Sequence, residues 1–299
     1  MLFDMNGLRG RTEGVALMLG SALSTQTGAA VGALAFPVIG PVGVVAIRQW
    51  VAGAVLLAVG RPRLHEFGKA QWVPVMGLAA VFAVMNLAVY VAIDRIGLGL
   101  AVTLEFLGPL TIALVGAVVA TPAGAHRKGS VACAALAGVG VLILTRPQPS
   151  TDYIGIGIGL IAAACWASYI LLNRIVGQRF SGAEGSAAAG LLSALVYLPI
   201  GVVTLIIRTP NLTALILGAG TGVLASAVPF LADVSALRRV PAHFFGIFMS
   251  VNPLAAAAIG AAVLGETLSR LDWIAICVIV CSNVGAVLAA RPHIRPHHS

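Results

Sequence analysis

A repeat within the sequence constrains the fold more than any other feature. Residues 92–119 align without a gap on residues 236–263, so each position matches the one 144 residues later. Both copies lie in long apolar stretches, which indicates a membrane protein and not a soluble solenoid. The identical pairs include Ala92 and Ala236, Arg95 and Arg239, Pro109 and Pro253, and Gly116 and Gly260.

The composition excludes a protein with a water-facing surface. Hydrophobic residues make up 59% of the chain and charged residues 9%, whereas soluble domains carry about 25% charged residues. The net charge of +8 could suggest a nucleic-acid partner. However, the basic residues lie mostly in short gaps between apolar runs, which is a pattern of membrane topology. We therefore expect a lipid bilayer around the protein and no nucleic acid.

Ten apolar segments have the length that spans a bilayer, roughly 17–25 residues. Moving the first five by 144 positions brings them close to the last five, so the repeat covers the whole chain. Five crossings separate the copies, and an odd number inverts the second copy relative to the first. We predict an all-α integral membrane protein of ten transmembrane helices, with inverted five-helix repeats at 1–146 and 147–299. The segments are 14–35, 42–59, 71–93, 99–120, 129–145, 153–173, 186–207, 212–232, 241–264 and 272–290.

Basic residues predict the orientation, because cytoplasmic loops carry an excess of lysine and arginine. With ten spans, four basic residues fall on one side of the membrane: Arg95, Arg146, Arg208 and Arg270. Thirteen fall on the other side, which is therefore predicted to be cytoplasmic, together with both termini. These are Arg9, Arg11, Arg61, Arg63, Lys69, Arg127, Lys128, Arg174, Arg179, Arg238, Arg239, Arg291 and Arg295.

Glu105 is the clearest candidate for a functional residue, because an ionisable group within a membrane span is costly. It lies about six residues into the fourth segment, roughly 9 Å from the segment end at 1.5 Å per residue. Pro109 cannot donate a hydrogen bond to the Glu105 carbonyl, and Gly108 loosens the helix further. One turn therefore offers a carboxylate and a freed backbone oxygen, both suited to a cation or an ammonium group. A carboxylate that only holds helices together is the alternative.

Arg48 lies at nearly the same depth as Glu105 by helical rise. Either it extends towards the outer interface, or it pairs with Glu105 or forms the opposite wall of one cavity. An arginine fork binds a carboxylate and a glutamate faces an ammonium group, so such a cavity suits a zwitterion such as an amino acid. Burial disfavours the charged form of Glu105 whereas Arg48 favours it, so Glu105 is also the predicted proton-coupling residue.

Further polar and aromatic residues complete the predicted substrate site. Gln26 follows Thr25 in a polar run that covers a full helical turn of the first segment, so part of that run must face the bundle interior. Trp166 and Tyr169 lie on one face of the sixth helix, either as interfacial anchors or as cavity walls. Asn252 precedes the helix-breaking Pro253, at the position that Gly108 occupies in the first copy. The cavity is expected between the first, fourth, sixth and ninth helices.

The sequence favours a secondary transporter over two other classes. No GxxxxGK motif followed by Ser or Thr is present, so the chain does not encode ATP drive. A passive channel or facilitator usually has rings of repeated polar groups, and Met249 stands at the repeat position of Glu105. An intramembrane enzyme needs a metal or nucleophile constellation, and neither is evident. We predict no catalytic residues, no metal site and no cofactor.

Several motifs together resemble the drug/metabolite transporter superfamily, in its EamA-like group of ten-helix carriers. The chain is similar over nearly its whole length to the threonine/homoserine exporter type. The matching motifs are STQTGA at Ser24–Ala29, FP at Phe36–Pro37, the stretch Gly43–Arg48, LEFLGPL at Leu104–Leu110, ACWASYIL at Ala164–Leu171, RRVPAHFFGIFMSVNP at Arg238–Pro253 and LGETLS at Leu264–Ser269.

The resemblance implies export of small amino acids or related metabolites from the cytoplasm, driven by the proton gradient. The expected partners are a small-molecule substrate, protons and the bilayer, and a homodimer stays open. Efflux of drugs or cationic metabolites is the alternative substrate class. One departure bears on the coupling and the choice of substrate: relatives often place a glutamate before the ninth-helix proline, and this chain has Asn252.

Overall fold

The computed structural model of the protein describes residues 2–120, 132, 136, 138–140, 143, 152–180, 183–230, 232 and 251–289. These residues form helices joined by turns, and no β-strand occurs among them. Five of the helices are long and apolar enough to cross a membrane. The predicted all-α fold is therefore confirmed for this part of the chain. The predicted fifth segment, 129–145, and the first half of the ninth, 241–250, lie largely outside it.

The described helices follow the predicted segments, and several of them extend beyond the predicted ends. The amino-terminal part contains α1 (Leu2–Ala33), α2 (Phe36–Gly60), α3 (Lys69–Ile96), α4 (Leu98–Glu105) and α5 (Leu107–Ala120). The carboxy-terminal part contains α6 (Tyr153–Arg179), α7 (Glu184–Arg208), α8 (Leu212–Gly222), α9 (Asn252–Val263) and α10 (Arg270–Ala289). Helix α1 begins well before residue 14, because hydrophobicity marks where a helix enters lipid and not where its backbone hydrogen bonds begin.

Two helices depart from regular geometry where the sequence contains proline. In α2, Gly40 has a φ of +67°, a value that glycine adopts without strain, and Pro41 follows it. The predicted second segment begins just after this kink, whereas the helix continues back to Phe36. Helix α4 ends at Glu105 and α5 begins at Leu107. This interruption lies where Pro109 cannot provide an N–H for the Glu105 carbonyl.

A third irregularity lies in the predicted eighth segment and was not foreseen. Residues Val223–Ala227 form a π-helical turn that follows α8 directly. Such turns occur frequently at functional sites, because they alter the hydrogen-bond ladder of the helix. The turn packs closely against α1, where the Ser24 hydroxyl donates a hydrogen bond to the Leu224 carbonyl at 2.7 Å.

Helices α2 and α7 pack closely and run in opposite directions. Small residues line the contact, which lets the two backbones approach each other in the membrane. A Cβ atom added to Gly53 would lie 2.7 Å from the Ala194 Cβ, so these positions admit only small side chains. The opposite chain directions follow from the contacts Ala46 with Gly201, Gly53 with Ala194 and Gly60 with Ala187.

The bundle has two chemically different ends. One end carries the turn between α2 and α3 and the junction of α6 and α7. We call it the basic end, because it holds Arg61, Arg63, Lys69, Arg174 and Arg179. At the opposite end, Arg95 of α3 forms an ion pair with Asp152 at 3.0 Å. The Gly155 N–H and the Arg95 guanidinium both hold the pKa of Asp152 below its ordinary value.

Glu266 also lies at the opposite end, where it joins two distant parts of the chain. Its carboxylate accepts hydrogen bonds from the backbone N–H groups of Leu98 at 2.5 Å and Gly99 at 3.2 Å. These are first-turn amides of α4, which have no partner within their own helix. Gly97, with a φ of +84°, and Gly260 leave room for the carboxylate.

Candidate functional site

A cavity of about 220 Å³ lies in the middle of the bundle, and we call it the central cavity. Helices α1, α2, α3, α4, α6 and α9 and the π-turn line it, so both the amino-terminal and the carboxy-terminal parts of the chain contribute. Its polar and aromatic lining is Ser21, Thr25, Gln26, Arg48, Phe82, Asn86, Tyr90, Glu105, Phe106, Trp166, Tyr169 and Asn252.

Gln26 and Asn252 contact each other in one wall of the central cavity. Both side chains are buried, and the Gln26 Nε2 donates a hydrogen bond to the Asn252 Oδ1 at 3.0 Å. The bond joins the polar turn of α1 to the first turn of α9, where Pro253 follows Asn252. Buried amides need such partners, so this pair fixes two neutral polar groups on one wall. Thr25 lies beside Gln26, and its hydroxyl donates to the Ser21 carbonyl at 2.9 Å.

Arg48 points into the bundle and contacts the π-turn. Its Nε donates to the Ser226 hydroxyl at 3.1 Å, and its Nη2 donates to the Ala225 carbonyl at 3.2 Å. The guanidinium carbon also lies 5.1 Å from the centre of the Tyr90 ring, within the range of a cation–π contact. Of the two alternatives for Arg48, extension towards the interface is therefore wrong.

Glu105 is the last residue of α4 and is only 9% exposed. It lines the central cavity together with Arg48. Across the described chain, the Glu105 carboxylate makes neither a hydrogen bond nor an ion pair within 4 Å. Arg48 and Glu105 thus form two walls of one cavity and not a closed salt bridge. Because the two side chains do not contact each other, the cavity has room for a ligand between the guanidinium and the carboxyl group.

Aromatic rings form the remaining walls of the central cavity. Trp166 packs edge-to-face on Phe106, with ring centres 4.5 Å apart. Tyr169 stacks on Phe82, with ring centres 6.0 Å apart and an angle of 30° between their planes. The alternative assignment of Trp166 and Tyr169 to an interfacial belt does not fit these positions.

The predicted helix-breaking residues lie behind the cavity and position its lining. Gly108 packs against α6, where an added Cβ atom would meet the Ala163 carbonyl. Pro109 is partly buried and Pro253 is buried. None of the three lines the central cavity. They act through their neighbours, since Glu105 and Asn252 lie at the helix ends that the prolines define.

A second cavity, of about 260 Å³, adjoins the central cavity towards the basic end, and we call it the vestibule. The two cavities share Arg48, Phe82, Tyr169 and Ala225 in their linings. Asn173 of α6 and Ser186 of α7 belong to the vestibule, where the Ser186 hydroxyl and the Asn173 Oδ1 are 3.2 Å apart.

Lining residues that were absent from the predicted site include Phe82, Asn86 and Tyr90 in the central cavity and Ser226 in the vestibule. Asn86 had a usable signal, because it is an amide in the middle of the apolar third segment, and Tyr90 follows four residues later on the same face. Ser226 had none, since its position depends on the π-turn. Met249, the repeat counterpart of Glu105, lies outside the described residues.

Comparisons with known proteins identify the relatives of the chain. Residues 153–288 match the model of the EamA-like transporter family. The threonine/homoserine exporter RhtA of Salmonella typhimurium strain SL1344 is 33% identical over 280 residues, which cover 93% of this chain and 92% of the relative. RhtA of Escherichia coli strain K12 is 32% identical over the same shares. These relatives are transporters and not enzymes, so the predicted resemblance and the predicted lack of enzymatic function are confirmed.

A solved crystal structure shares the fold. It superposes with a TM-score of 0.59 at 20% identity, and the match covers 94% of this chain and 99% of the other. Together with the five apolar helices, these relatives establish a multi-pass membrane protein.

Proposed function

This chain belongs to the EamA-like transporter family, and we propose that it exports small amino acids of the threonine and homoserine class, or related metabolites, across the inner membrane. The exporter function of the relatives supports the direction and the substrate class. The central cavity supports the same substrates through its chemistry.

The observation that carries this proposal is the separation of Arg48 and Glu105 in one cavity. A guanidinium binds a carboxylate through two parallel hydrogen bonds. A carboxylate accepts hydrogen bonds from an ammonium group. A zwitterionic amino acid between the two side chains would satisfy both charges without bringing a counter-ion. An amino acid with a short side chain also fits the volume of about 220 Å³.

The neutral residues of the cavity then select the side chain of the substrate. Gln26 and Asn252 hold their amides on one wall by their mutual hydrogen bond. An amide offers both donors and acceptors, which suits the hydroxyl of threonine or homoserine. The aromatic rings of Phe106 and Trp166 cover the apolar part of the substrate.

We propose a topology of ten spans in two inverted halves, 1–146 and 147–299, with both termini in the cytoplasm. The opposite directions of α2 and α7 support the inversion, because α7 occupies nearly the position of α2 moved by 144 residues. The positive-inside rule supports the cytoplasmic location of the basic end. The vestibule then faces the cytoplasm, from which an exporter takes its substrate.

We also propose that Glu105 couples export to protons. Among the described residues, Glu105 is the only acidic side chain in the lining of either cavity. A proton and a substrate ammonium group would compete for the same carboxylate. Exchange of one for the other on opposite sides of the membrane is the minimum requirement for coupled export.

The closing contacts at the opposite end support an inward-facing arrangement. The ion pair of Arg95 with Asp152 and the hydrogen bonds of Glu266 to α4 tie the helices together at that end. Release of the substrate would require these contacts to break while the vestibule closes. Such rocking around a fixed site is the usual mechanism of carriers built from inverted repeats.

The proposed function is tested by reconstitution into proteoliposomes. Vesicles loaded with unlabelled threonine should accumulate labelled threonine by counterflow, and an inward-directed proton gradient should drive net efflux. Vesicles with Arg48→Met should show neither. Counterflow with equal rates for threonine and for an uncharged sugar would overturn the proposal.

Efflux of cationic metabolites is the second candidate, and the aromatic walls near Glu105 favour it. Phe106 and Trp166 could hold a cation over their rings next to the carboxylate. In this case a quaternary ammonium compound without a carboxylate should be exported faster than threonine. Export of such a compound should also survive Arg48→Met.

A further inference from the structure

The lining of the vestibule differs chemically from that of the central cavity. Arg48 is its charged group, and Asn173, Ser186 and Ser226 supply neutral polar atoms. Its other walls are apolar, with Leu56 and Leu78 among them. No acidic side chain of the described chain lines it. This cavity therefore provides a partner for a carboxylate and for neutral polar groups, but no counter-ion for an ammonium group.

Arg48 has donors to spare for a ligand in the vestibule. A guanidinium carries five N–H groups, and the hydrogen bonds to Ser226 and Ala225 use one on Nε and one on Nη2. These two bonds leave further N–H groups, and the guanidinium also interacts with Tyr90. Because Arg48 lines both cavities, a carboxylate can reach the same guanidinium from either side.

Phe82 and Tyr169 form the partition between the two cavities. Their stacked rings come from α3 and α6 and belong to both linings. A ligand that moves from the vestibule to the central cavity therefore passes this stack. Only beyond it does the ligand reach Glu105.

We propose that the vestibule is a second binding site, which holds small organic carboxylates by their carboxylate group alone. For amino acids the inference rests on the proposed function. The carboxylate of the amino acid first binds Arg48 in the vestibule. Its ammonium group binds Glu105 only after the molecule has passed the Phe82–Tyr169 partition. A carboxylate without an amino group binds in the vestibule and goes no further, because it has no ammonium group to bind Glu105. Such compounds therefore inhibit export without being exported.

Two reporter cysteines locate the bound carboxylate. The full-length protein carries Ser186→Cys in the vestibule or Thr25→Cys in the central cavity, in a background with its four native cysteines replaced by serine. The probe is 3-hydroxybutyrate, which is threonine without its amino group, and the readout is the rate of alkylation by N-ethylmaleimide. We expect 3-hydroxybutyrate to slow alkylation at Ser186→Cys and to leave Thr25→Cys unchanged. Threonine should slow alkylation at Thr25→Cys.

Variants of the charged residues separate this inference from the proposed function. Arg48→Met should weaken 3-hydroxybutyrate binding roughly tenfold or more, as expected for a lost charged hydrogen bond. Glu105→Gln should not weaken it. Arg174→Met, at an exposed arginine of the same end, is the matched control and should leave binding unchanged. If Arg48→Met does not fold, Arg48→Lys retains the charge without the fork and should also bind more weakly.

Several outcomes would overturn the inference. Protection of Thr25→Cys by 3-hydroxybutyrate would put the carboxylate in the central cavity, and protection of neither cysteine would remove the second site. If 3-hydroxybutyrate protects Ser186→Cys while threonine protects neither position, the vestibule site stands and the proposed amino-acid substrate fails. Export of 3-hydroxybutyrate at the rate of threonine would show that passage does not require an ammonium group at Glu105.

Discussion

Gln49 of α2 donates a hydrogen bond at 2.7 Å to the hydroxyl of Ser193 in α7, and the two residues are 144 positions apart. This separation equals the interval of the sequence repeat, so in the proposed organisation of two repeats each residue occupies the position of the other. Both side chains are buried, with 1% and 0% exposure. The bond therefore lies within the contact between α2 and α7.

Gln49→Leu and Ser193→Ala should each lower the free energy of unfolding by about 1 kcal/mol, because each leaves a buried polar partner without its hydrogen bond. The double variant should lose less than the sum, with a coupling of about 0.6 kcal/mol, the average for such bonds in membranes. Reversible unfolding in mixed micelles measures all three values. Thr204→Val, which removes a bond from α7 to its own Ile200 carbonyl, is the control and should show no coupling to Gln49→Leu.

Glu105→Gln should abolish gradient-driven export while the protein still inserts and folds, because the amide keeps the shape of the carboxylate and loses its titratable proton. Loss of a charged hydrogen bond to the substrate would reduce counterflow roughly tenfold or more. Counterflow that survives without gradient drive would assign Glu105 to proton transfer alone. Asp94→Asn, at an exposed carboxylate of α3, is the control for the change of charge. Undiminished proton-driven export by Glu105→Gln would leave this residue with a purely structural role.

Gly108→Ala should destabilise the protein by about 1–3 kcal/mol, since the added methyl group would overlap the backbone of α6. Gly157→Ala makes the same chemical change in α6, where no atom lies within 4 Å of the added group. It should be neutral or stabilise by up to about 1 kcal/mol, because alanine favours the helix over glycine. Thermal unfolding of the two variants gives the comparison. Equal effects would show that α5 does not approach α6 at Gly108.

Asp152 should make the stability of the protein depend on pH in the acidic range. Because its pKa is lowered in the folded state from 3.8, its contribution is present above pH 3.8 and disappears as the pH falls through the lowered folded-state value. Asp152→Asn should therefore reduce the melting temperature at pH 6, and the difference from the wild type should vanish at the lowest pH. A difference that is constant over the whole range would assign the effect to the helix cap alone.

Cysteines at the two ends of the bundle should distinguish the two orientations. Tyr153→Cys, next to Asp152, should react with a membrane-impermeant maleimide added outside intact cells, and a cysteine near Lys128 should not. His65→Cys lies in the turn at the basic end and is well exposed, so it should react only after the membrane is permeabilised. The reverse pattern would invert the proposed topology.

Sequence patterns predicted the described helices well, because a membrane span needs a long apolar run and few charges. The same patterns drew attention to Gln26, Arg48, Glu105 and Asn252, because buried polar groups are rare in such runs. The structure brings all four to one cavity. Their side chains had to avoid lipid, and the interior of the bundle was the remaining choice.

Other parts of the site could not be derived in this way. The π-turn that receives Arg48 depends on packing against α1 and has no signature in the apolar sequence of Val223–Ala227. Phe82 lines both cavities and stacks on Tyr169, a contact between two separate helices. Hydrophobic periodicity indicates that such a residue faces a neighbour, but it does not say which one.

The contact of Glu266 with α4 has a consequence for the order of events during biosynthesis. The ribosome makes the acceptor carboxylate 168 residues after Leu98, a delay of about 8 to 34 seconds at 5–20 residues per second. Throughout this time the first amides of α4 lack the partner that they have in the folded protein. The first turn of α4 therefore acquires these hydrogen bonds only after the residues that follow α9 have been synthesised, when translation has almost finished.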